Sequence, residues 1–462
     1  MALDLFLFAE NKDMLLTLLG AADVDPNDVL PASILSDRSQ TNNPWTLVDE
    51  KGNEVEDPDP AGDRGFSVSL RELDEAKKIE VFQKMRGTER ADRAIGIEIN
   101  PTRLDSALRG QHWCSGAGKG YQYGTREQAE RLINLSALKS AGLTGHGVNI
   151  VVVDQGINKD YVESLGGIYA GGMKAKADGQ LKIPGEGKFP HTNLRKRHGS
   201  MLLRSIVKAA PNARIFDLPL LPKRIDDVGE FTFLAALAKF LFAKKHVLPN
   251  ESWVFLNAWG IVNRFGESIR GDYTKNPFHP LNLLVSGLGP FPGLGDRTDV
   301  VFAAGNNGQF CADPRAPGYD RLPGNAIFGA NALPDVTSVG AVRADGKWIG
   351  MSSQGPGVFG FGDERDHKPD FAAPSWFAEP QDAALRSGGT SAASAVVAGA
   401  IAALRQGWQT NKVTPKQMRA ALIDSARKVD RGAWNARTGA GILDLDAAIE
   451  ILTERHGPPL LS

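Results

Sequence analysis

The stretch "VNIVVVD", residues 148–154, decides the fold. Apart from Asn149 it is apolar and mostly β-branched up to a terminal aspartate. A strand with one wet face alternates apolar and polar residues. This run does not, so it needs cover on both faces, as in a parallel sheet. The same texture returns in "ARIFDLPLL" (213–221), "WVFLNAWG" (253–260), "DVVFAAGN" (299–306) and "DVTSVGAV" (335–342). Helical patterns intervene, among them 199–210 and 231–245. Strands alternating with helices predict an α/β fold, a parallel sheet with helices on both faces.

The chain has 462 residues, room for two or three domains of usual size or for one large and one small. Hydrophobic residues make up 42% and charged residues 23%, the balance of a soluble globular protein. The formal charge of −1 gives no electrostatic case for nucleic acid or a membrane surface. Two cysteines, Cys114 and Cys311, lean towards a reducing compartment. The opening "MALDLFLFAENKD" carries Asp4 inside its apolar run and has no basic leader, so it reads poorly as a signal peptide. The longest apolar run, Ala392 to Leu404, is too short to span a bilayer. The expectation is a cytoplasmic protein.

Residues 1–100 read as a separate α/β unit. Strands are expected at 3–9, 45–48 ("WTLV"), 65–70 and 94–100, and helices at 11–22 and 71–87. The acidic stretch 49–63 reads as a solvated loop. The order β-α-β-β-α-β is ferredoxin-like. Residues 101–128, with "WCSGAGKGYQYGT", read as a linker. Their "GAGKG" is not a phosphate loop, because Trp113 stands where the first glycine is needed and Gly120 where Ser or Thr is. The larger domain is expected over 129–455, with a tail at 456–462.

One stretch carries chemistry: "SGGTSAASAV", residues 387–396. Two glycines lead into Thr390 and Ser391, then only small side chains follow. One reading is a Gly-rich loop capping a buried helix, with Thr or Ser as the cap. The other makes Ser391 a nucleophile activated by distant residues. That reading needs a base and an acid. His198, in "KRHGSMLLRSIVKAAPNARI", opens a helical pattern, where the positive helix end favours a neutral imidazole able to accept a proton. By itself it is also compatible with an ordinary surface histidine. His146 precedes a strand, and His191, His246, His279 and His367 sit in loop-like settings. Asp154 ends the central apolar run, where sites form in open parallel sheets; a loop-turning role is the alternative. Asn306 in "FAAGNNG" can donate to a developing oxyanion or serve as a turn residue.

Together and in this order, these motifs resemble the subtilisin-like serine proteases (subtilases). "DQG" (154–156) corresponds to the acid motif and "HGSM" (198–201) to the histidine motif. "APNARI" (210–215), "AAGN" (303–306) and "GTSAASA" (389–395) match further family elements. "SSQGPG" (352–357), "KPDFAAPS" (368–375) and "GAGILDLDAA" (439–448) resemble its connecting segments. The resemblance runs from about 129 to 452. The chain departs from the pattern at Gln155, Met201 and Ala395, all beside the catalytic positions rather than at them.

The resemblance implies peptide-bond hydrolysis by a Ser391–His198–Asp154 triad. Asn306 and the Ser391 backbone N–H would stabilise the oxyanion. Ala258, Trp259 and Gly260, with Ala303, Ala304 and Gly305, are implied as lining of the specificity pocket, Trp259 as part of one wall. The substrate is a protein or peptide. No cofactor is required for the chemistry; structural calcium occurs in the family, without a readable ligand set here. Two other classes stand beside this one: a protease regulated by a partner such as an ATPase, and a non-catalytic binding module on the same scaffold. By the same resemblance, residues 1–100 act as a pro-domain with its tail across Ser391, or as a recruitment domain.

Overall fold

The computed structural model describes residues 45–55, 124–177, 198–221, 250–261, 273–277, 279–286, 293–308, 324–380 and 382–460. It also describes the strands 4–9, 30–31, 66–69, 95–98, 104–106 and 180–182, and isolated positions such as Gly20, Lys77 and several within 236–248.

Among the described residues nine strands form the main sheet: β1 (Trp45–Val48), β2 (Val148–Asp154), β3 (Ile168–Ala177), β4 (Gln180–Lys182), β5 (Arg214–Pro219), β6 (Ser252–Asn257), β7 (Asp299–Ala303), β8 (Thr337–Val342) and β9 (Phe371–Pro374). Their spatial order is β9-β8-β7-β6-β2-β5-β3-β1, with β4 paired to β3. Pairing is parallel from β9 to β3 and antiparallel where β1 and β4 join β3. Every residue of β2 is buried. Its side chains divide by period two: Ile150 and Val152 enter one core with Leu202, Ile206, Val397 and Ile401, while Val151 and Val153 enter the other with Phe216, Phe255 and Phe302. The strand order turns about β2, flanked by β5 on one side and β6 on the other. The carboxyl end of β2 is therefore the switch point at which such sheets open a crevice.

Three helices position the chemistry: α1 (Arg126–Leu132), α2 (His198–Ala209) and α3 (Gly389–Gly407). A capping box at Thr125 and Gln128 starts α1. All nineteen residues of α3 are buried, which explains its small, apolar composition. It packs tightly on α2, for a Cβ at Gly399 would meet Ile206 Cα and Ala209 Cβ at 3.0 Å. One charge enters this helix: Arg405, fully buried, donates to Asp299 Oδ1 of β7 at 2.7 Å and to the carbonyls of Trp408 and Val413. Among the described residues, no helix is long and apolar enough to cross a membrane.

Three boundaries differ from the sequence reading. The strands 4–9, 66–69 and 95–98 do form one antiparallel sheet, but its fourth member is Leu30–Pro31. "WTLV" instead becomes β1, at the edge of the main sheet. Gly171 allows this: its φ is +104° and a Cβ there would lie 2.0 Å from the Val48 carbonyl oxygen. Such a close approach is invisible in alternation. Within the expected tail 456–462, described to residue 460, the backbone is bonded back to the main domain. The Trp408 indole N–H donates to the Gly457 carbonyl at 2.9 Å, and the Leu460 N–H to that of Gly407 at 3.0 Å. The linker contributes a described strand, Leu104–Ser106. The expected helices 11–22 and 71–87, most of 231–245 and the "GAGKG" run lie outside the described residues, apart from isolated helical positions.

Removing one partner of the Arg405–Asp299 pair leaves a buried charge uncompensated. Asp299→Ala is expected to cost about 3–5 kcal/mol in a denaturant titration. The apolar double replacement Asp299→Leu, Arg405→Met is expected to recover most of it.

Candidate active site

Asp154 is wholly buried at the end of β2. Its Oδ1 accepts the Gln155 N–H at 2.8 Å, and its Oδ2 lies 2.6 Å from His198 Nδ1. His198 is the first residue of α2 and is 4% exposed. The carboxylate holds Nδ1, so that ring nitrogen is the donor and Nε2 is left as the acceptor. Among the described residues Nε2 is buried and has no hydrogen-bond partner.

Ser391 is the third residue of α3 and is 1% exposed. The cap of α3 is Gly388, and no side chain caps it. The Thr390 and Ser391 hydroxyls are engaged elsewhere, so the capping reading of "GGTS" does not describe them. Ser391 Oγ donates to the Ala258 carbonyl at 3.0 Å. The Thr390 N–H and Oγ1 both donate to Asn306 Oδ1 at 3.0 Å, and Thr390 Oγ1 accepts the Gly305 N–H at 3.1 Å. Held by its oxygen, Asn306 has its amide donors turned away from Thr390. Thr390 is thus an orienting residue that the sequence reading left unassigned. The two glycines also have reasons. Gly389 has φ +75°, and a Cβ at Gly388 would meet the Trp376 ring at 2.7 Å.

The expected pocket residues converge from the ends of β6 and β7. Ala258, Ala303 and Ala304 are buried. Gly305 has φ +104°, and a Cβ there would approach Ser353 Oγ to 2.8 Å. Asn331, missed by the sequence reading, ties the two segments: its Nδ2 donates to the Trp259 carbonyl at 2.8 Å and to that of Ala303 at 2.7 Å. It crowds Gly260, where a Cβ would lie 3.1 Å from Asn331 Nδ2. Trp259, expected as part of one wall, stands at the start of the strand Trp259–Ile261. Its indole is 1% exposed, packs edge-on to Phe302 and donates to Asn257 Oδ1 at 3.2 Å. It turns into the core because the pleat directs it there, leaving backbone as its contribution to the crevice. That backbone, Trp259–Ile261, pairs antiparallel with Leu104–Ser106, Trp259 opposite Ser106.

Met201, one of the departures, accepts the Gly388 N–H on its sulfur at 3.3 Å. A second carboxyl lies close by. Asp217 of β5, opposite Val152, is 3% exposed. Burial, reinforced by the negative charge of Asp154, pushes its pKa well above the usual carboxylate range, against the Ile157 N–H and Lys239, which pull it down. Lys239, itself pushed down to about 8 by burial, donates to the Pro219 carbonyl at 2.6 Å. Among the described residues no group of three or more His, Cys, Asp or Glu is arranged to hold a metal ion.

Residues 145–441 match the model of the subtilase family, peptidase S8. No curated relative matches the chain. Among solved structures, fervidolysin from Fervidobacterium pennivorans, a keratinolytic enzyme related to subtilisin, is 16% identical with TM-score 0.49, over 97% of this chain and 60% of that one. MycP1 from Mycobacterium smegmatis is 17% identical with TM-score 0.43, over 75% and 90%. The prenylagaramide maturation protease PagA is 18% identical with TM-score 0.46, over 69% and 98%.

A carboxyl whose folded-state pKa is raised stabilises the fold fully below its unfolded value of about 4, and this is lost as pH rises through the folded value. Asp217→Asn retains an acceptor for the Ile157 N–H and cannot ionise. Its urea midpoint is expected to fall less between pH 5 and pH 9 than that of the parent protein. Equal falls would place the alkaline loss elsewhere.

Proposed function

This chain belongs to the subtilase family and is a serine endopeptidase, and we propose that it hydrolyses peptide bonds through Ser391, His198 and Asp154, with Asn306 at the oxyanion. The observation that carries the assignment is the 2.6 Å contact of Asp154 with His198 Nδ1, which leaves Nε2 as a buried, unpartnered acceptor. In the reaction the Ser391 hydroxyl turns from the Ala258 carbonyl to Nε2. It loses its proton there as Oγ attacks the substrate carbonyl. Asp154 holds the tautomer and stabilises the imidazolium, which then protonates the leaving amine. The Asn306 amide and the Ser391 N–H meet charge that exists only in the transition state. Side-chain and backbone groups suffice for these steps.

The linker that follows the N-terminal unit regulates this site by occupying it, as the tail of that unit. The strand Leu104–Ser106 lies along Trp259–Ile261 as an added β-strand, a recognised mode of binding extended peptides. Because the pairing is antiparallel, Leu104–Ser106 runs towards the Ala258 end, where the Ser391 hydroxyl is bonded. That direction supports self-cleavage shortly after Ser106. A partner that withdraws this strand is the alternative route to activity.

Mass spectrometry of the purified chain tests both points. The parent protein is expected to be cut within a few residues after Ser106, while Ser391→Ala stays full length. In subtilisin, loss of the catalytic serine lowers turnover by about 10⁶-fold, and a loss on that scale is expected for Ser391→Ala. Turnover of clean Ser391→Ala within tenfold of the parent would sink the assignment. Asn306→Ala is expected to lower kcat by about 10²–10³-fold with KM nearly unchanged; an effect on KM alone contradicts the oxyanion role.

A further inference from the structure

The helix that carries His198 is fastened to the strand that leads into Ser391 at two further points. His198, Met201 and Arg204 stand three residues apart on α2 and share a face. Met201 holds the Gly388 N–H, as above. Arg204, 6% exposed, donates from Nη2 to the Arg386 carbonyl at 3.3 Å and to Ser387 Oγ at 3.5 Å. Residues 386–388 run directly into Gly389–Ser391, the start of α3.

The hub of these contacts is Glu379, 2% exposed. Its carboxylate accepts Arg126 Nε and Nη2, each at 2.6 Å, lies 3.1 Å from Arg204 Nε and accepts the Ser387 hydroxyl. Burial alone would raise the Glu379 pKa, but its bonds to Arg126, the charges of Arg126 and Arg204, and the Ser387 hydroxyl hold it below the usual range. The residues belong to four elements: α1 (Arg126), α2 (Arg204), and the paired strands Phe377–Glu379 and Asp382–Ser387. Arg126 is anchored in turn. Its guanidinium stacks over Phe377 at 4.9 Å, and the Gly124 carbonyl before it accepts the Ala378 N–H at 3.0 Å.

A buried ion cluster of this kind is a poor source of stability, since desolvation offsets its attraction. Its geometry is more informative. Donors from Arg126 and Ser387 converge on one carboxylate, and the Arg204 guanidinium lies beside it, so a single side chain joins α1, α2 and the strand that leads into α3. We propose that Glu379 is a positioning residue of the proteolytic site: clamped by Arg126 and Arg204, it fixes the Asp382–Ser387 strand, and hence the Ser391 hydroxyl, relative to the helix that carries His198. This rests on the assignment of Ser391 and His198 above. A misplacement of about 1 Å between reacting groups costs about 10²-fold in rate, so a small slackening is measurable.

The test uses a fluorophosphonate probe, which reports the reactivity of the serine without a known substrate. Glu379→Gln keeps the size and an acceptor and removes the charge. Compared per molecule in the same processing state, its maximal labelling rate is expected to fall about tenfold or more. Half-saturation by the probe should stay close to that of the parent protein; the melting temperature is expected to fall, because two buried arginines lose their counter-charge, so labelling is compared at a temperature at which both proteins are fully folded. Glu379→Asp restores the charge at a shorter reach and is expected to recover part of the rate. Ser387→Ala, which removes the strand's hydroxyl contacts with Glu379 and Arg204 and leaves the carboxylate in place, should slow labelling in the same direction and serves if Glu379→Gln does not fold. Labelling of folded Glu379→Gln or Ser387→Ala within twofold of the parent rate would overturn the proposal. So would a loss that only follows the unfolded fraction. Failure of the parent protein to label at Ser391 would instead defeat the assignment on which the proposal rests.

Discussion

The burial of Asp154 is the constraint on which the rest depends. A carboxylate out of reach of water at the end of an apolar strand is costly unless donors surround it. The Gln155 N–H and His198 Nδ1 supply them. That need fixes the turn after β2 and brings the first residue of α2 back over the end of the sheet. The parallel sheet makes such a position available, because the strand order turns about β2 and the crevice opens there.

The second constraint is space. Helix α3 lies in the core along its whole length, against α2 and the face of the sheet. Only small residues allow it to lie so close, and Gly399 marks the tightest point. Its first turn then has to leave the core at an angle that ordinary residues resist. Gly388 passes beneath the Trp376 ring and Gly389 takes a left-handed conformation. With both hydroxyls of Thr390 and Ser391 bonded away from the helix, the turn is organised for contacts across the crevice. Asn306 and Ala258 face it from the ends of β7 and β6.

The crevice itself is an unfinished sheet. Trp259–Ile261 offers backbone rather than side chain, and the Leu104–Ser106 strand completes it. An extended peptide fits there because its own N–H and C=O groups find partners at an otherwise open edge. Asn331 holds the Trp259 and Ala303 carbonyls from behind. These two carbonyls beneath the crevice are thereby satisfied, and its two walls are tied together.

Sequence alone determined the sheet, the helices over it and the identity of the candidate site. Buried parallel strands need unbroken apolar runs, and a reactive serine, histidine, aspartate and asparagine must keep their residue types wherever the chain brings them. Other features had no such signature. Asn331 and Thr390 orient other groups through bonds that span 72 and 84 residues. Asp217 reads as any strand aspartate until its burial beside Asp154 is seen. "WTLV" has the pattern of a strand in either sheet, and its partner was decided by the room above Gly171. Arg126, Arg204, Glu379 and Ser387 look like solvated polar residues along the chain, and only tertiary packing gathers them into one buried cluster. Local pattern reports which face of an element is dry. Which distant polar groups meet inside depends on how the elements stack, and that is decided by the volume and direction of every side chain between them.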